Sequence, residues 1–228
     1  MRRALQLAAV VFVFAAVSAG EVIDRVVATV NGQPILQSDW EVAIRCEAFL
    51  DQRPLQFTES SARATLDRLI DQELLRQQIR SFQLKPPDAN VLRDRTAEIR
   101  SQIAGAKTDD GWKAALARYG LTQDEIEARL ADQEEILRFI DVRLRPTVHV
   151  DRRNIETYYN ETLLPELKEK GAQPVPLSEV SNKIEEILLQ RLIDSQLTDL
   201  LRDLRQQSDI RIDSGVLPSE TAQKQATR

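Results

Sequence analysis

The sequence has very few of the residues from which reactive sites and crosslinks are built. One cysteine and one histidine occur in 228 residues, which excludes an internal disulfide and a metal site with closed His/Cys coordination. We expect Cys46 to be a small buried hydrophobic residue, and His149 to lie on an edge strand or at the surface. Neither a glycine-rich phosphate loop nor a Gly-x-Ser-x-Gly motif occurs. The sequence therefore predicts no catalytic residue, no bound metal and no cofactor.

Glycine and aromatic residues are also scarce, and long basic tracts are missing. Seven glycines and 5 % aromatic residues, beside 42 % hydrophobic and 29 % charged residues, indicate a mostly helical globular protein. The formal net charge is −5 at pH 7, and no run of basic residues is longer than two. The sequence therefore gives no indication of a nucleic-acid partner.

Residues 1–19 have the pattern of an export signal. Met1-Arg2-Arg3 is a basic start, Ala4 to Val17 is apolar apart from Gln6, and Val17-Ser18-Ala19 supplies small residues for cleavage. We expect cleavage after Ala19, because the apolar run is too short to span a bilayer comfortably. A retained signal anchor is the alternative. No cysteine follows the run, so a lipoprotein anchor is not predicted, and we expect no stable membrane insertion after cleavage.

A β-hairpin is predicted from Val26 to Leu36. β-branched residues favour an extended backbone in its first half, and Asn31-Gly32 supplies the positive φ angles of a type I′ turn. Pro34 cannot donate a hydrogen bond, so the return strand is expected at an edge. Ser38 with Glu41 matches a capping box at the start of the next helix. Because a lone hairpin is barely stable in water, it needs a third strand or a helical cover.

Helical periodicity dominates the remainder of the chain. Apolar residues three to four apart predict helices over 39–51, 59–82, 88–103, 112–119, 122–144 and 178–207, with a short helix after Asp151. Thr122 and Glu125 match a second capping box. Ile210 and Ile212 alternate like a half-buried strand, and they are the predicted partner of the hairpin. The predicted fold class is mostly α with a small β-sheet, in which the N-terminal hairpin pairs with a C-terminal strand.

Short stretches in a particular order carry a resemblance to a known family. They are 26–40, 69–75, 121–126, 148–151, 155–159 and 176–180. The first three are similar to the start and later helices of the SurA-like peptide-binding domain of periplasmic chaperones. The next two resemble the entry to that family's parvulin prolyl-isomerase module, and the last resembles the return from it. The resemblance covers roughly residues 22–213.

The parvulin module itself does not fit into this sequence. Only eighteen residues separate Tyr159 from Ser178, which is too few for its sheet-and-helix fold, and His149 precedes the gap. The resemblance therefore implies a peptide-binding core without the isomerase. The expected organisation is a signal peptide (1–19), a SurA-like N-terminal chaperone region (20–163), a linker replacing the module (164–176), a helix and strand completing the same domain (177–213) and a disordered tail (214–228).

An apolar groove for unfolded peptide is predicted from residues outside the strongest helical stripes. The candidate substrate-binding residues lie at helix ends or in loops, and they are Phe49, Leu50, Leu55, Phe57, Trp112, Leu116 and Tyr119. An exposed apolar groove rimmed by charge binds unfolded apolar or aromatic-rich peptide. The alternative is that these seven residues complete the hydrophobic core.

The resemblance implies an ATP-independent periplasmic holdase, whose partners are unfolded or nascent envelope and outer-membrane proteins. Two other functions stay open at this point: a peptidyl-prolyl isomerase of the SurA/parvulin family, and a non-catalytic structural or adaptor domain. An isomerase requires a pocket that holds the proline ring and stabilises a twisted amide. A holdase requires only an apolar surface of modest affinity, so it is the favoured interpretation.

Overall fold

The computed structural model describes residues 24–82, 84, 87–213 and 215. The predicted signal peptide lies outside these residues, as does the predicted tail apart from Gly215. In chain order the described elements are β1 Val26–Val30, β2 Gln33–Leu36, α1 Gln37–Leu50, α2 Glu59–Phe82, α3 Ala89–Gln102, α4 Asp109–Ala117, α5 Gln123–Phe139, α6 Arg152–Tyr158, α7 Leu164–Glu169, α8 Leu177–Gln207 and β3 Ile210–Ile212. The fold is mostly α with a small sheet, as predicted.

The sheet joins the two ends of the described chain. Its strand order is β2-β1-β3, and both neighbouring pairs are antiparallel. Asn31 and Gly32 have φ angles of 52° and 81°, so the hairpin turn forms where it was predicted. Ile210 lies opposite Val30 in the pairing of β3 with β1. The predicted third strand is thereby confirmed.

Asn31 fastens the hairpin turn to β3 and to α2. Its backbone N–H donates to the carbonyl of Asp209 at 2.9 Å, and its Oδ1 accepts from the Asp209 N–H at 2.9 Å. Its Nδ2 donates to Gln77 Oε1 at 2.8 Å and to Ser208 Oγ at 3.1 Å. Gln77 in turn donates to the carbonyl of Val30 at 3.1 Å. One turn residue therefore holds three elements together.

The capping box predicted at Ser38 and Glu41 is wrong. α1 begins at Gln37, and Leu36, which precedes it, makes no side-chain capping hydrogen bond. The Ser38 hydroxyl and N–H donate instead to the carboxylate of Asp24, and Glu41 accepts from the Gln37 side chain at 2.9 Å. The reason is that β2 runs directly into α1, so a strand residue occupies the capping position.

The central helices follow the predicted pattern with two changes. α5 has the predicted capping box, in which Thr122 Oγ1 accepts from the Glu125 N–H and the Glu125 carboxylate accepts from the Thr122 N–H. α4 begins at Asp109, before its predicted start, because Thr108 provides the capping oxygen. After α5 the chain continues as a π-helical turn, Ile140–Leu144, where a regular helix was predicted.

The segment 164–176, predicted as an irregular linker, is helical over residues 164–169. A π-helical turn, Tyr159–Leu163, leads from α6 into α7. Pro165 is the second residue of α7, directly after the π-helical turn, and its missing N–H leaves a gap in the hydrogen bonding of this continuous helical stretch. Gly171, with a φ of 65°, follows the helix end. The Tyr159 hydroxyl donates to the carbonyl of Val175 at 2.7 Å, which folds the remaining residues back.

Three hydrophobic clusters lie inside the described part of the molecule. The sheet core packs one sheet face against α1 and α2 and includes Val27, Val30, Ile35, Trp40, Ile44, Leu66, Ile70 and Leu74. The helical core joins α1 to α3, α4 and α5 and includes Cys46, Phe49, Ile99, Trp112, Leu116, Ile126 and Leu130. A third cluster joins α2, α5 and α8 through Leu75, Ile79, Phe139, Leu197, Leu200, Leu201 and Leu204. Among the described helices none is long and apolar enough to cross a membrane.

Candidate functional site

Three of the seven predicted groove residues are part of the helical core. Phe49, Trp112 and Leu116 are each at most 2 % exposed and pack together. The rings of Phe49 and Trp112 meet edge-to-face, with centroids 5.5 Å apart. Trp112 and Leu116 are therefore closed to a polypeptide ligand, and Phe49 has almost no exposed surface. They form the helical core against which Leu50 and Tyr119 pack.

The other four residues lie around the loop that joins α1 to α2. Leu50 and Tyr119 are half-buried at the edge of the helical core, and Leu55 is half-buried against the sheet core. Phe57 is 41 % exposed. The Tyr119 hydroxyl donates to the carbonyl of Arg53 at 3.1 Å, so it holds this loop against the end of α4.

Two adjoining pockets open on this surface, and we refer to them as the paired pockets. The larger, of about 390 Å³, is lined by Phe49, Gln52, Leu55, Ile103, Ala104, Arg118 and Tyr119. The smaller, of about 220 Å³, is lined by Leu50, Gln52, Arg95, Ile99, Gln102, Ile103, Leu130 and Gln133. Gln52 and Ile103 line both pockets. The structure therefore brings four of the predicted residues, Phe49, Leu50, Leu55 and Tyr119, to one surface.

Ile103 and Gln52, which line both pockets, could not be identified from the sequence pattern. Ile103 directly follows α3, and a single aliphatic residue at the end of a polar helix has no periodic pattern. Gln52 has a φ of 52°, an uncommon backbone conformation for a residue other than glycine, and it turns the chain after α1. Their place in the pocket lining depends on tertiary packing, which a periodic sequence pattern does not predict.

The paired pockets have no acidic side chain among their lining residues in the described structure. Their charged groups are Arg95, which pairs with Glu98 at 2.5 Å, and Arg118, which is exposed. Glutamine side chains supply the other polar groups. The lining therefore combines apolar side chains with uncharged and cationic polar groups.

A larger cavity, of about 470 Å³, lies between the start of α1, the middle of α2 and the first half of α5, and we refer to it as the three-helix cavity. Its apolar lining consists of Pro34, Ile35, Val42, Ala43, Leu69 and Ala128. Its polar lining consists of Ser38, Asp39, Gln72, Glu73, Arg76, Glu125, Arg129 and Asp132. None of the seven predicted groove residues belongs to this lining.

Glu73 is the centre of an ion-pair cluster on one side of the three-helix cavity. Its carboxylate accepts from Arg76 at 2.7 Å, from Arg80 at 3.0 Å and from Gln77 at 2.9 Å. Arg76 also pairs with Asp132 at 2.9 Å, which connects α2 to α5. Burial by itself raises the pKa of Glu73, but the hydrogen bonds from Gln77, Arg76 and Arg80 outweigh it, so this pKa lies below its ordinary value.

Arg129 is a buried cation whose N–H donors outnumber the acceptors around them. It is 9 % exposed, its Nη1 donates to Gln72 Oε1, and its Nε has no hydrogen-bond acceptor among the described residues. Its Nη2 lies 3.9 Å from Glu47 Oε1, while the Glu47 carboxylate accepts shorter bonds from Thr65 at 2.8 Å and Arg68 at 2.9 Å. Burial lowers the pKa of Arg129, and the Glu47 charge partly opposes that effect.

Cys46 and His149 line neither the paired pockets nor the three-helix cavity. Cys46 is buried, as predicted, and burial raises the pKa of its thiol to about 11. A neutral thiol of this kind is a poor nucleophile. His149 is exposed, and residues 148–150 form no strand, so it is a surface residue and not an edge-strand residue.

The segment where the resemblance places the isomerase module is short and helical. Between Tyr159 and Leu177 the described chain forms only a π-helical turn, α7 and an irregular return to α8. This stretch contains no strand, whereas the parvulin module is built around a sheet. The module is therefore absent from this position in the chain.

Comparison with known families covers the part of the chain that forms both surfaces. The family model described as the SurA-like N-terminal domain matches residues 1–138, which include the hairpin, α1 to α4 and every lining residue of the paired pockets and the three-helix cavity. A similarity search among curated proteins finds no match to this chain. Because the family match extends over more than half of the sequence, the protein belongs to the family of SurA-like N-terminal domains.

Proposed function

We propose that the protein is an ATP-independent chaperone that holds unfolded envelope proteins, including outer-membrane proteins, in the periplasm. Membership of the SurA-like family supports a chaperone-type role. The observation that carries the proposal is the paired pockets, in which two adjoining depressions share Ile103 and Gln52 and combine apolar side chains with glutamine and arginine groups. The same loop also exposes Phe57. These features form a surface for apolar side chains that follow one another along an unfolded chain.

The size of the paired pockets supports weak and reversible capture. Volumes of about 390 and 220 Å³ suit individual side chains of an extended segment. Burying each apolar side chain contributes roughly 1.5–3 kcal/mol, and ordering the segment offsets part of that gain. Micromolar affinity, near −8 kcal/mol, requires only a few such contacts. A client held this weakly can be released without nucleotide.

Suppression of aggregation tests the proposal. The protein without residues 1–19 is expected to keep an unfolded outer-membrane protein from aggregating in the absence of ATP. Ile103→Ser should weaken that effect and lower client affinity about tenfold, since it removes apolar contacts from both pockets. Val142→Ser is the matched control, because Val142 is 62 % exposed and lines neither pocket. Thermal melting of both variants checks that the fold is retained.

Failure of the parent protein to suppress aggregation would overturn the proposal, as would an Ile103→Ser variant that protects the client fully. The same preparation is expected to leave cis/trans exchange of a Xaa-Pro peptide at its background rate. Isomerisation must overcome a barrier of roughly 20 kcal/mol, and the proposed function includes no site for it. A clear isomerase rate from pure protein would favour the alternative.

Periplasmic location is part of the proposal and rests on residues 1–19. Their basic start, apolar run and small residues before Gly20 support export and cleavage after Ala19. Mass spectrometry of protein recovered from the envelope fraction is expected to find a mature N-terminus near Gly20. An intact Met1 terminus in that fraction would contradict cleavage.

A further inference from the structure

We propose that the three-helix cavity is a second binding site, for an extended polypeptide segment that carries a lysine or arginine side chain. The ligand class rests on the proposed function, since both sites would bind unfolded polypeptide. The location is independent, because the three-helix cavity and the paired pockets share no lining residue. Binding to one site can therefore be tested without binding to the other.

Arg129 supplies hydrogen-bond donors at the cavity wall. A guanidinium has five N–H donors, and among the described residues only Gln72 accepts a hydrogen bond from Arg129. Leaving donors of a buried charge unsatisfied is unfavourable. The Nε atom is closed to a ligand, but the guanidinium lines the cavity, so its terminal nitrogens are the donors that an entering acceptor would use. A backbone carbonyl suits this role better than a carboxylate, because Glu47 and Glu73 already place negative charge around Arg129.

The rest of the charged lining favours a cation. Four carboxylates and two guanidinium groups line the cavity, and Arg76 is already paired with Glu73 and Asp132. Asp39 lies exposed in the first turn of α1. Its carboxylate has no ion-pair or hydrogen-bond partner among the described residues. A lysine or arginine side chain would find an uncompensated carboxylate at Asp39.

The apolar lining completes the match to such a segment. Val42, Leu69 and Ala128 contribute apolar surface between the guanidinium of Arg129 and the carboxylates. The long aliphatic stems of lysine and arginine pack on apolar surface while their charged ends remain near water. A volume of about 470 Å³ is within the range of ordinary ligand sites. The cavity thus offers donors to a carbonyl, an apolar wall to a stem and carboxylates to a cation.

Three labelled, unstructured peptides with a common leucine, serine and glycine background test the charge preference. One carries two lysines, one carries two glutamates at the same positions, and one carries two serines. Fluorescence anisotropy at low salt should show that the lysine peptide binds tighter than the glutamate peptide, by about two- to fivefold for each carboxylate engaged. The preference should shrink at high salt, because exposed charges are screened.

Two variants connect that preference to the cavity. Asp39→Asn should weaken binding of the lysine peptide about two- to fivefold and leave the serine peptide unchanged. Asp110→Asn is the matched control, because Asp110 is also an exposed carboxylate in the first turn of a helix, but it does not line the cavity. Arg129→Met should weaken binding of all three peptides by roughly tenfold. Should that variant not fold, amide NMR shifts of Val42, Leu69 and Ala128 in the parent protein report occupancy directly.

Equal affinity for the lysine and glutamate peptides overturns the inference, and so does an Asp39→Asn effect no larger than that of Asp110→Asn. NMR shift changes confined to Leu55 and Ile103 also overturn it, but they leave the proposed function standing because those residues line the paired pockets. If neither these peptides nor an unfolded outer-membrane protein binds, both the inference and the proposed function fail.

Discussion

Trp112 shows how the burial of a residue decides what its substitution measures. Its side chain is 1 % exposed, packs edge-to-face against Phe49 and has the Arg100 guanidinium 5.7 Å from its ring centroid. Truncation to alanine would leave a cavity at a cost of about 3–5 kcal/mol. That is a large part of a typical stability of 5–15 kcal/mol. Loss of client binding in such a variant would report unfolding, so Ile103 is the informative position.

Glu73 makes the acid stability of the protein testable at a single residue. Because its pKa is held below the ordinary value of 4.5, its stabilisation is complete above that pH and is lost as pH falls through the folded-state pKa. Glu73→Gln weakens the ion pairs with Arg76 and Arg80 and should cost about 1–3 kcal/mol at pH 7. Urea unfolding at several pH values should show the parent and the variant converging below pH 4.5.

Glu98→Gln is the control for that prediction. Glu98 also pairs with an arginine, Arg95, but both side chains are about half exposed. Its loss should change the free energy of unfolding by less than about 1 kcal/mol. A gap between the parent and Glu73→Gln that stays constant from pH 7 to pH 3 would contradict the assigned role of Glu73.

At the scale of elements, β3 is the strand that completes the three-stranded sheet. Ending the chain at Gln207 removes the pairing with β1 and the partners of Asn31 at Ser208 and Asp209. We expect a loss of about 2–4 kcal/mol in the free energy of unfolding, from several net hydrogen bonds. Chemical denaturation of the two chains measures the difference.

Asn31→Gly tests the same connection without truncation. Glycine keeps the positive φ of the turn but removes the side-chain bonds to Gln77, Ser208 and Asp209. In the full chain this change should cost about 1–3 kcal/mol. In the truncated chain it should cost less, because two of its partners are gone, and the two effects should not add. Additive losses would show that Asn31 and β3 are not coupled.

Elements with strong local patterns were predictable from the sequence, and elements that depend on their neighbours were not. The hairpin turn at Asn31-Gly32, the capping box at Thr122 and the strand at Ile210–Ile212 each have a local physical cause. The box at Ser38 failed because β2 runs into α1 without an intervening loop. α7 was missed because residues 164–176 were predicted as a linker, whereas the helical backbone continues past Pro165 after a π-helical turn.

At the scale of the whole molecule, the structure brings only four of the seven predicted groove residues to one surface. Leu55 and Phe57, in the loop after α1, lie outside the strong helical stripes, and they are half-buried and exposed respectively. Trp112 and Leu116 met the same criterion and are nevertheless buried, because three helices converge on them. No sequence pattern predicted the three-helix cavity. Arg129 occupies a polar position of an amphipathic helix, and only packing against α1 and α2 buries it.

The C-terminal part of the described chain is fastened to the family domain by α8 and β3. α7 and a short return lead into α8. α8 is fixed on α2 by Arg205, which pairs with Asp71 at 2.6 Å and donates to the carbonyl of Asp67 at 2.9 Å. β3 then completes the sheet by pairing with β1. Every lining residue of both candidate binding surfaces falls within residues 1–138, which match the SurA-like family.

Site-directed photo-crosslinking tests the central claim, that the paired pockets receive unfolded polypeptide, most directly. A photo-crosslinking amino acid would replace Gln52, which is exposed and lines both pockets. The control position is Gln190, an exposed glutamine on α8 that lines neither pocket. Irradiation with an unfolded outer-membrane protein should give a crosslinked adduct from position 52, and excess unlabelled client should abolish it. Equal yields from the two positions, or an adduct from position 190 alone, would contradict the account.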